Sequence, residues 1–335
     1  MQSISKRFGD VLAVDSVTLD IEDGEFFTIV GPSGSGKSTL VRILAGLEQP
    51  TAGRVSLRKQ DITTVPANLR PTCMVFQSLA LFTHRSVGEN IEFAAKMKRI
   101  PKADRKEHAL ATMDIVRLPR SYYDRSVTQC SGGERQRVAL ARALASDPEI
   151  LFFDEPLSAM DYRLRKILEV EMKDLHRRTG KTFIYITHSL EEAMVMSDRI
   201  AIMRNGRIVQ AGTPTEIYQQ PSSRFVAEFM GEVNTFTVRN GRIEELGVAV
   251  DEVADGYLIV RPEYLRHLDD GDRADVRFPA KLDNDYMLGS RTQFHLSVGD
   301  EVFVAEVPAG GAAALKIGES CDWGFDLGDA ARVAE

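Results

Sequence analysis

Gly31-Pro32-Ser33-Gly34-Ser35-Gly36-Lys37-Ser38 repeats the pattern G-x-x-x-x-G-K-S without a mismatch. Glycines at those spacings let backbone N–H groups turn inward around an anion. A helix that follows presents its positive end to the same point. Lys37 adds a point charge suited to β- and γ-phosphates, and the Ser38 hydroxyl can ligate Mg²⁺. The flanks agree with that reading. Glu25-Phe26-Phe27-Thr28-Ile29-Val30 predicts a buried strand running into the loop, and residues 38–47 predict a helix leaving it. A chance match in a Gly/Ser loop would lack both.

Outward from the loop, short apolar runs alternate with amphipathic stretches over the first two-thirds of the chain, the pattern of an α/β domain. Ile150-Leu151-Phe152-Phe153 predicts a second buried strand, ending on Asp154-Glu155-Pro156. Two acids at a strand end are ordinarily a solvated terminus. Downstream of a phosphate loop they read as a metal and base site: Asp154 for the Mg²⁺ water shell, Glu155 to take a proton from an attacking water. Leu164, Leu168, Met172 and Leu175 recur at helical spacing. Residues 182–187 predict a third strand. Residues 199–204 and 207–211, joined by Asn205-Gly206, predict a hairpin on a primed turn.

Beyond residue 235 the texture changes to short alternating segments, 274–282, 292–298 and 301–307, broken by Gly and Asp clusters. That predicts a small all-β barrel, so the chain reads as two domains, 1–234 and 235–335. The only low-complexity tract is the short loop at residues 310–314. The first domain carries a net charge of +3 and the second −10. The acidic tail argues against nucleic acid as a partner and reads as solubilising surface.

Ser131-Gly132-Gly133-Glu134-Arg135-Gln136-Arg137, lying between the phosphate loop and the Asp-Glu strand end, resembles the signature sequence of ABC ATPases. The family's usual Leu and Gln at its first and fifth positions are here Cys130 and Glu134. The resemblance covers nearly all of residues 1–234. It implies an ABC ATPase cassette with antiparallel β and helical subdomains, followed by an OB-like (TOBE) barrel. It implies ATP and Mg²⁺ as cofactors, held by Phe8, Gly31, Pro32, Ser33, Gly34, Ser35, Gly36, Lys37, Ser38 and Thr39. Ser131, Gly132 and Gly133 are implied to contact the γ-phosphate of nucleotide held by a second copy. In this reading Phe8 stacks on adenine, and Asp161, in Leu157-Ser158-Ala159-Met160-Asp161, lies on the loop that crosses the dimer interface. Glu155, His188 and Gln77 form the catalytic group, with Ser38, Asp154 and Gln77 at the metal. Gln77 links that site to the membrane partner, and His188 contacts the γ-phosphate and holds Glu155.

The tail has a looser match. Tyr257-Leu258-Ile259-Val260-Arg261-Pro262-Glu263-Tyr264 resembles the opening of the barrel attached to ATPases of sugar, ferric-ion and polyamine importers. Phe225-Val226-Ala227-Glu228-Phe229-Met230-Gly231-Glu232-Val233-Asn234 is more similar to the junction of spermidine/putrescine importer ATPases than to the sugar type. The resemblance therefore implies an ATP-hydrolysing importer subunit, with polyamine as cargo and ferric ion, sugar or another small solute as alternatives. It implies a head-to-tail dimer of this chain, two membrane permease subunits docked on residues 77–87, and an extracytoplasmic solute-binding protein reached through them. The location implied is peripheral, on the cytoplasmic face of a bacterial inner membrane. In residues 77–87, Thr83 stands where relatives usually have Pro. A DNA-repair ATPase of the same superfamily would carry a long coiled coil between loop and signature; residues 39–130 show no sustained heptads. A translation factor would carry two cassettes, and this sequence carries one.

Bulk properties are compatible with this. Hydrophobic residues make up 43% and charged residues 27%, ordinary globular values. No apolar stretch is long enough to cross a bilayer, and the first residues lack the apolar core of a signal peptide. Cys73, Cys130 and Cys321 lie far apart without metal-ligand spacing, fitting free thiols in a reducing cytosol. Only residues 1–5 precede Lys6-Arg7-Phe8, which predicts that Met1 lies inside the first strand and that further residues, alternating apolar and polar, precede it.

Overall fold

The structure is a computed structural model of the 335-residue chain, describing all residues except 98, 159, 252, 310–314 and 334–335. It divides into two compact units, Met1–Pro214 and Thr215–Glu335.

The first unit is built on a six-stranded sheet in the order Arg207–Gly212, Arg199–Arg204, Phe26–Val30, Thr182–Ile186, Ile150–Asp154, Thr72–Val75. Its neighbours pair parallel except the terminal hairpin. Phe26–Val30 and Thr182–Ile186 are buried at every position, the pattern of strands covered on both faces. Alternation sorts the side chains into two cores. Phe26, Phe153, Phe183 and Tyr185 pack with Met172 and Leu175 of helix Tyr162–Thr179 and with apolar residues of helix Gly132–Leu144. Phe27, Ile29, Phe152, Ile184 and Ile186 pack against helix Lys37–Leu44 and a small antiparallel sheet, through Leu40, Ile43, Ile4 and Val14.

The expected hairpin forms: Asn205 and Gly206 both have positive φ, 49° and 80°, and Arg204 pairs with Arg207. Met1, expected inside the first strand, lies just before it, and the strand departs from simple alternation. Gln2–Phe8 is a seven-residue strand, but Ser3 has φ 47° and the register shifts on either side of Lys6. The positive φ of Ser3 and a further register shift between Gln2 and Ser5 interrupt the alternation, and Gln2 and Ser3 are both exposed while Ile4 is buried. Met1 donates its amine to the Leu19 carbonyl at 2.8 Å.

In the second unit two five-stranded antiparallel sheets enclose one aromatic core, an OB-like barrel architecture. Phe236 stacks on Phe303 and Phe325 at 4.7 and 5.1 Å. Trp323, the chain's single tryptophan, is fully buried among them. The three strands expected from alternation appear as Val276–Met287, Arg291–Val298 and Glu301–Pro308. The tract at 310–314 lies outside the described residues. Helices Pro214–Gln219 and Arg224–Phe229, although they precede residue 235, belong to this second unit. Arg261 is what fastens them. It is buried, donates to the carbonyls of Ala227, Glu232 and Tyr218, and lies 4.1 Å over the Tyr218 ring. Glu263 accepts from the Tyr218 hydroxyl at 2.6 Å.

Candidate active site

The phosphate loop joins the carboxyl end of strand Phe26–Val30 to helix Lys37–Leu44, where ligands bind in open α/β sheets. Two of its glycines are dictated by space. A Cβ on Gly31 would fall 2.1 Å from the Met203 carbonyl oxygen, and one on Gly36 would fall 2.2 Å from that of Ala13. Gly36 also has φ 103°, a conformation side chains rarely adopt. Pro32, Ser33, Gly34 and Ser38 are exposed, Thr39 is half-buried, and Ser35 and Lys37 are buried. The Ser35 hydroxyl is buried without a hydrogen-bond partner. The Lys37 ammonium donates to the carbonyls of Gly31 and Pro32 at 2.7 and 3.0 Å. Burial lowers its pKa, opposed by the nearby charges of Glu155 and Asp154.

Strand Ile150–Asp154, one place along the sheet beyond Thr182–Ile186, delivers the acids. Ser38 Oγ donates to Asp154 Oδ1 at 3.2 Å. Burial raises the Asp154 pKa, and the Ser38 bond opposes it. A hydroxyl and a carboxylate oxygen side by side suit a hard cation such as Mg²⁺ that keeps waters and phosphate oxygens as its other ligands. Among the described residues no group of three or more His, Cys, Asp or Glu could hold a metal by itself.

Glu155 has φ 48°, unusual for a residue with a side chain, and its N–H bonds the Ile186 carbonyl at 3.0 Å. This backbone kink turns the carboxylate towards the end of the neighbouring strand. There His188 Nδ1 lies 3.2 Å from Glu155 Oε2. His188 is exposed, as expected of a group that meets something outside the chain. Gln77 Nε2 donates to Ser158 Oγ at 2.9 Å, and Ser158 Oγ donates to the Glu155 carbonyl at 3.0 Å. Gln77 therefore reaches the acid through Ser158, a link that its sequence position did not disclose.

The remaining predicted residues lie on separate elements. Phe8 ends strand Gln2–Phe8 with 47% exposure, so it is not core packing, and the Lys6 ammonium lies 4.8 Å over its ring. Asp161 caps helix Tyr162–Thr179, accepting from the Leu164 N–H at 3.0 Å. Ala159 of that loop lies outside the described residues. Ser131 caps helix Gly132–Leu144 in a capping box. Its hydroxyl accepts from the Glu134 N–H, and the Glu134 carboxylate accepts from the Ser131 N–H at 2.7 Å and from the Tyr122 hydroxyl at 3.0 Å. The two departures from the signature thus have local reasons. Glu134 closes the box, with its pKa lowered by that Ser131 N–H, and Cys130 is buried in the core.

Residues 77–87 are braced without proline. The Asn90 amide pairs with both backbone groups of Phe82, and Arg142 donates to the carbonyls of Leu79 and Ala80. A cavity of about 310 Å³ in this unit opens at the amino ends of the strands, lined by Leu19, Phe152 and Ile184, and contains none of the predicted site residues. The predicted site is instead an open face: Ser38, Gln77, Ser131, Asp161 and His188 are all exposed.

Comparison with known proteins finds relatives for both units. Residues 14–158 match the ABC transporter family, and residues 258–332 match the TOBE domain. A spermidine/putrescine import ATP-binding protein of Mesorhizobium japonicum is 41% identical over 98% of this chain and 92% of its own length. One from Bacillus thuringiensis is 40% identical over 98% and 97%. Among solved structures, a dimeric ATP-binding cassette in a post-hydrolysis state with ADP and Pi bound is 30% identical. It covers 64% of this chain and 97% of its own, with a TM-score of 0.55. A cassette from Clostridium perfringens, part of an ABC transporter complex, is 25% identical over 64% and 88%, with a TM-score of 0.60. The chain belongs to the ABC transporter family of import ATP-binding proteins and is an ATPase that energises import.

Proposed function

We propose that this chain drives the import of polyamines, spermidine and putrescine, by hydrolysing ATP between two copies of itself. The observation that carries the catalytic reading is the meeting of Ser38, Asp154, Glu155 and His188 at the carboxyl ends of adjacent strands. The cargo is supported by the printed function of the relatives and by the junction at residues 225–234.

In this reading the loop N–H groups and Lys37 hold the phosphates, with Phe8 against adenine. Ser38 and Asp154, with Gln77 nearby, would hold Mg²⁺, which when bound supplies charge neutralisation of the phosphate oxygens. Glu155 orients the attacking water and takes its proton. His188 holds Glu155 in place and faces the γ-phosphate. Ser131, Gly132 and Gly133 of the second copy complete the anion site, and Asp161 lies where the copies meet. ATP favours the closed pair because it binds that state better, and hydrolysis with phosphate release reopens it. Gln77, through Ser158, connects the acid to residues 78–87, the docking surface for two permease subunits. An extracytoplasmic solute-binding protein acts through those permeases. The chain is then peripheral to the cytoplasmic face of a bacterial inner membrane; among the described residues no helix is long and apolar enough to cross one. The first unit serves as the nucleotide-binding domain and the second as the accessory barrel.

The test uses the complex assembled with permeases and binding protein. Spermidine or putrescine is expected to stimulate its ATPase. Glu155→Gln is expected to remove that activity, about 10²–10⁴-fold for loss of a general base, while leaving ATP binding intact. Stimulation by a sugar or ferric ion instead would overturn the cargo. Near-wild-type hydrolysis by Glu155→Gln would overturn the base.

A further inference from the structure

Beneath His188 lies a buried polar network that the roles above leave unused. Glu192 is 3% exposed. Its Oε2 accepts from Thr187 Oγ1 at 2.7 Å and from the Tyr185 hydroxyl at 2.9 Å. Burial, then the charge of Glu192, keeps the Tyr185 phenol well above its usual titration range, so it stays a donor. Thr187 Oγ1 also accepts from the Ser189 N–H at 2.9 Å, and Ser189 Oγ accepts from the Glu192 N–H at 3.3 Å. His188 is therefore flanked on both sides by residues fastened to Glu192.

The other oxygen of Glu192 faces a different part of the site. Arg165 Nε lies 3.8 Å from Glu192 Oε1, beyond hydrogen-bond reach, and that Nε is buried with no hydrogen-bond partner. The same guanidinium donates through Nη2 to the Met160 carbonyl at 2.9 Å, and the Arg165 backbone N–H bonds the Asp161 carbonyl at 3.0 Å. One side chain thus touches the loop assigned to the dimer interface and approaches the carboxylate that fastens the histidine loop. A buried guanidinium N–H without an acceptor is costly in a contact that serves only as a brace. It suits a contact that shortens when the loop moves.

We propose that Arg165 and Glu192 are positioning residues that transmit docking of a second copy at the Asp161 loop to the His188–Glu155 pair. Displacement of Met160 carries the guanidinium it holds. Closing Nε on Oε1 by about 1 Å gives a charge-assisted hydrogen bond, which draws Glu192 and with it Thr187 and Ser189, setting His188 against Glu155. The proposal rests on the assignment of Glu155, His188 and Asp161 given above.

Glu192→Gln in the full chain isolates the link. Its amide oxygen can still accept from Thr187 and Tyr185, while its NH₂ turns a donor towards Arg165. The expected result is a fall in kcat of about tenfold, with KM for ATP and Tm close to wild type. Arg165→Met is expected to behave the same way, and the double variant to lose no more than the worse single one, because one contact is removed once. Wild-type kcat in either single variant, a loss carried by KM or Tm alone, or multiplying losses in the double variant would each overturn the coupling. Glu155→Gln assayed alongside separates the two ideas. If it still hydrolyses ATP, the site assignment itself fails. If it is inactive while Glu192→Gln turns over normally, only the coupling fails.

Discussion

Gly36 shows how tightly single positions are specified where backbones approach one another. Its absent Cβ leaves room for the Ala13 carbonyl, and its φ of 103° starts the phosphate-loop helix. Gly36→Ala is expected to lower Tm and weaken nucleotide binding together, by a strain of about 1–3 kcal/mol or more. Gly34, at φ 77° with open space around its missing Cβ, carries only the backbone term, so Gly34→Ala is expected to be milder. Thermal melts and nucleotide titrations of both variants test the ranking; equal losses would show that space is not what selects Gly36. These glycines were legible in the sequence because a motif fixes their spacing. The carbonyl that each one avoids was not, since Ala13 and Met203 lie far along the chain and only the fold brings them near. Glu192 was hidden for a related reason. Ser189-Leu190-Glu191-Glu192 has the spacing of a capping box, yet the Glu192 side chain turns inward to Thr187 and Tyr185.

At the scale of elements, the signature helix depends on a box that its sequence closes with an acid. Glu134 accepts from the Ser131 N–H and the Tyr122 hydroxyl, so Glu134→Ala is expected to destabilise the first unit by about 0.5–2 kcal/mol. Glu134→Gln keeps an acceptor and is expected to lose less; denaturant titration of the two variants measures the difference, and identical midpoints would remove the carboxylate from the account. Elements with strong periodicity were readable in advance: the buried strands at residues 26–30, 150–154 and 182–186, the hairpin at 205–206, and three barrel strands. The strand Thr72–Val75 was not, because four residues, only one of them fully buried, make no pattern. Helix Lys102–Ile115 buries only Ala109, Thr112 and Met113, too sparse a stripe to announce itself. Arg261 also lay outside sequence reasoning, because its partners are three carbonyls that no side-chain pattern marks.

At the scale of the whole molecule, the exposed face proposed as the catalytic site predicts a rate that depends on association. ATPase activity of the isolated chain is expected to rise more than linearly with its concentration. Lys37→Ala and Ser131→Arg chains, each inactive alone, are expected to recover activity when mixed, since a heterodimer keeps one intact composite site. Linear dependence without rescue would reject the shared site. The two units also make the chain a poor candidate for a single unfolding transition. Trp323 makes that separable. As the chain's only tryptophan, buried in the aromatic core of the barrel, it confines the intrinsic indole emission to the second unit and leaves the ATPase core optically silent at those wavelengths. A melt followed by its emission therefore reports the barrel alone, whereas calorimetry reports both units. Saturating nucleotide is expected to raise the calorimetric transition of the first unit and leave the emission midpoint where it was. Movement of both in step would mean that the units unfold together. The same silence makes Trp323 a built-in spectroscopic reporter for anything that binds the barrel, readable in the presence of turnover at the other end of the chain.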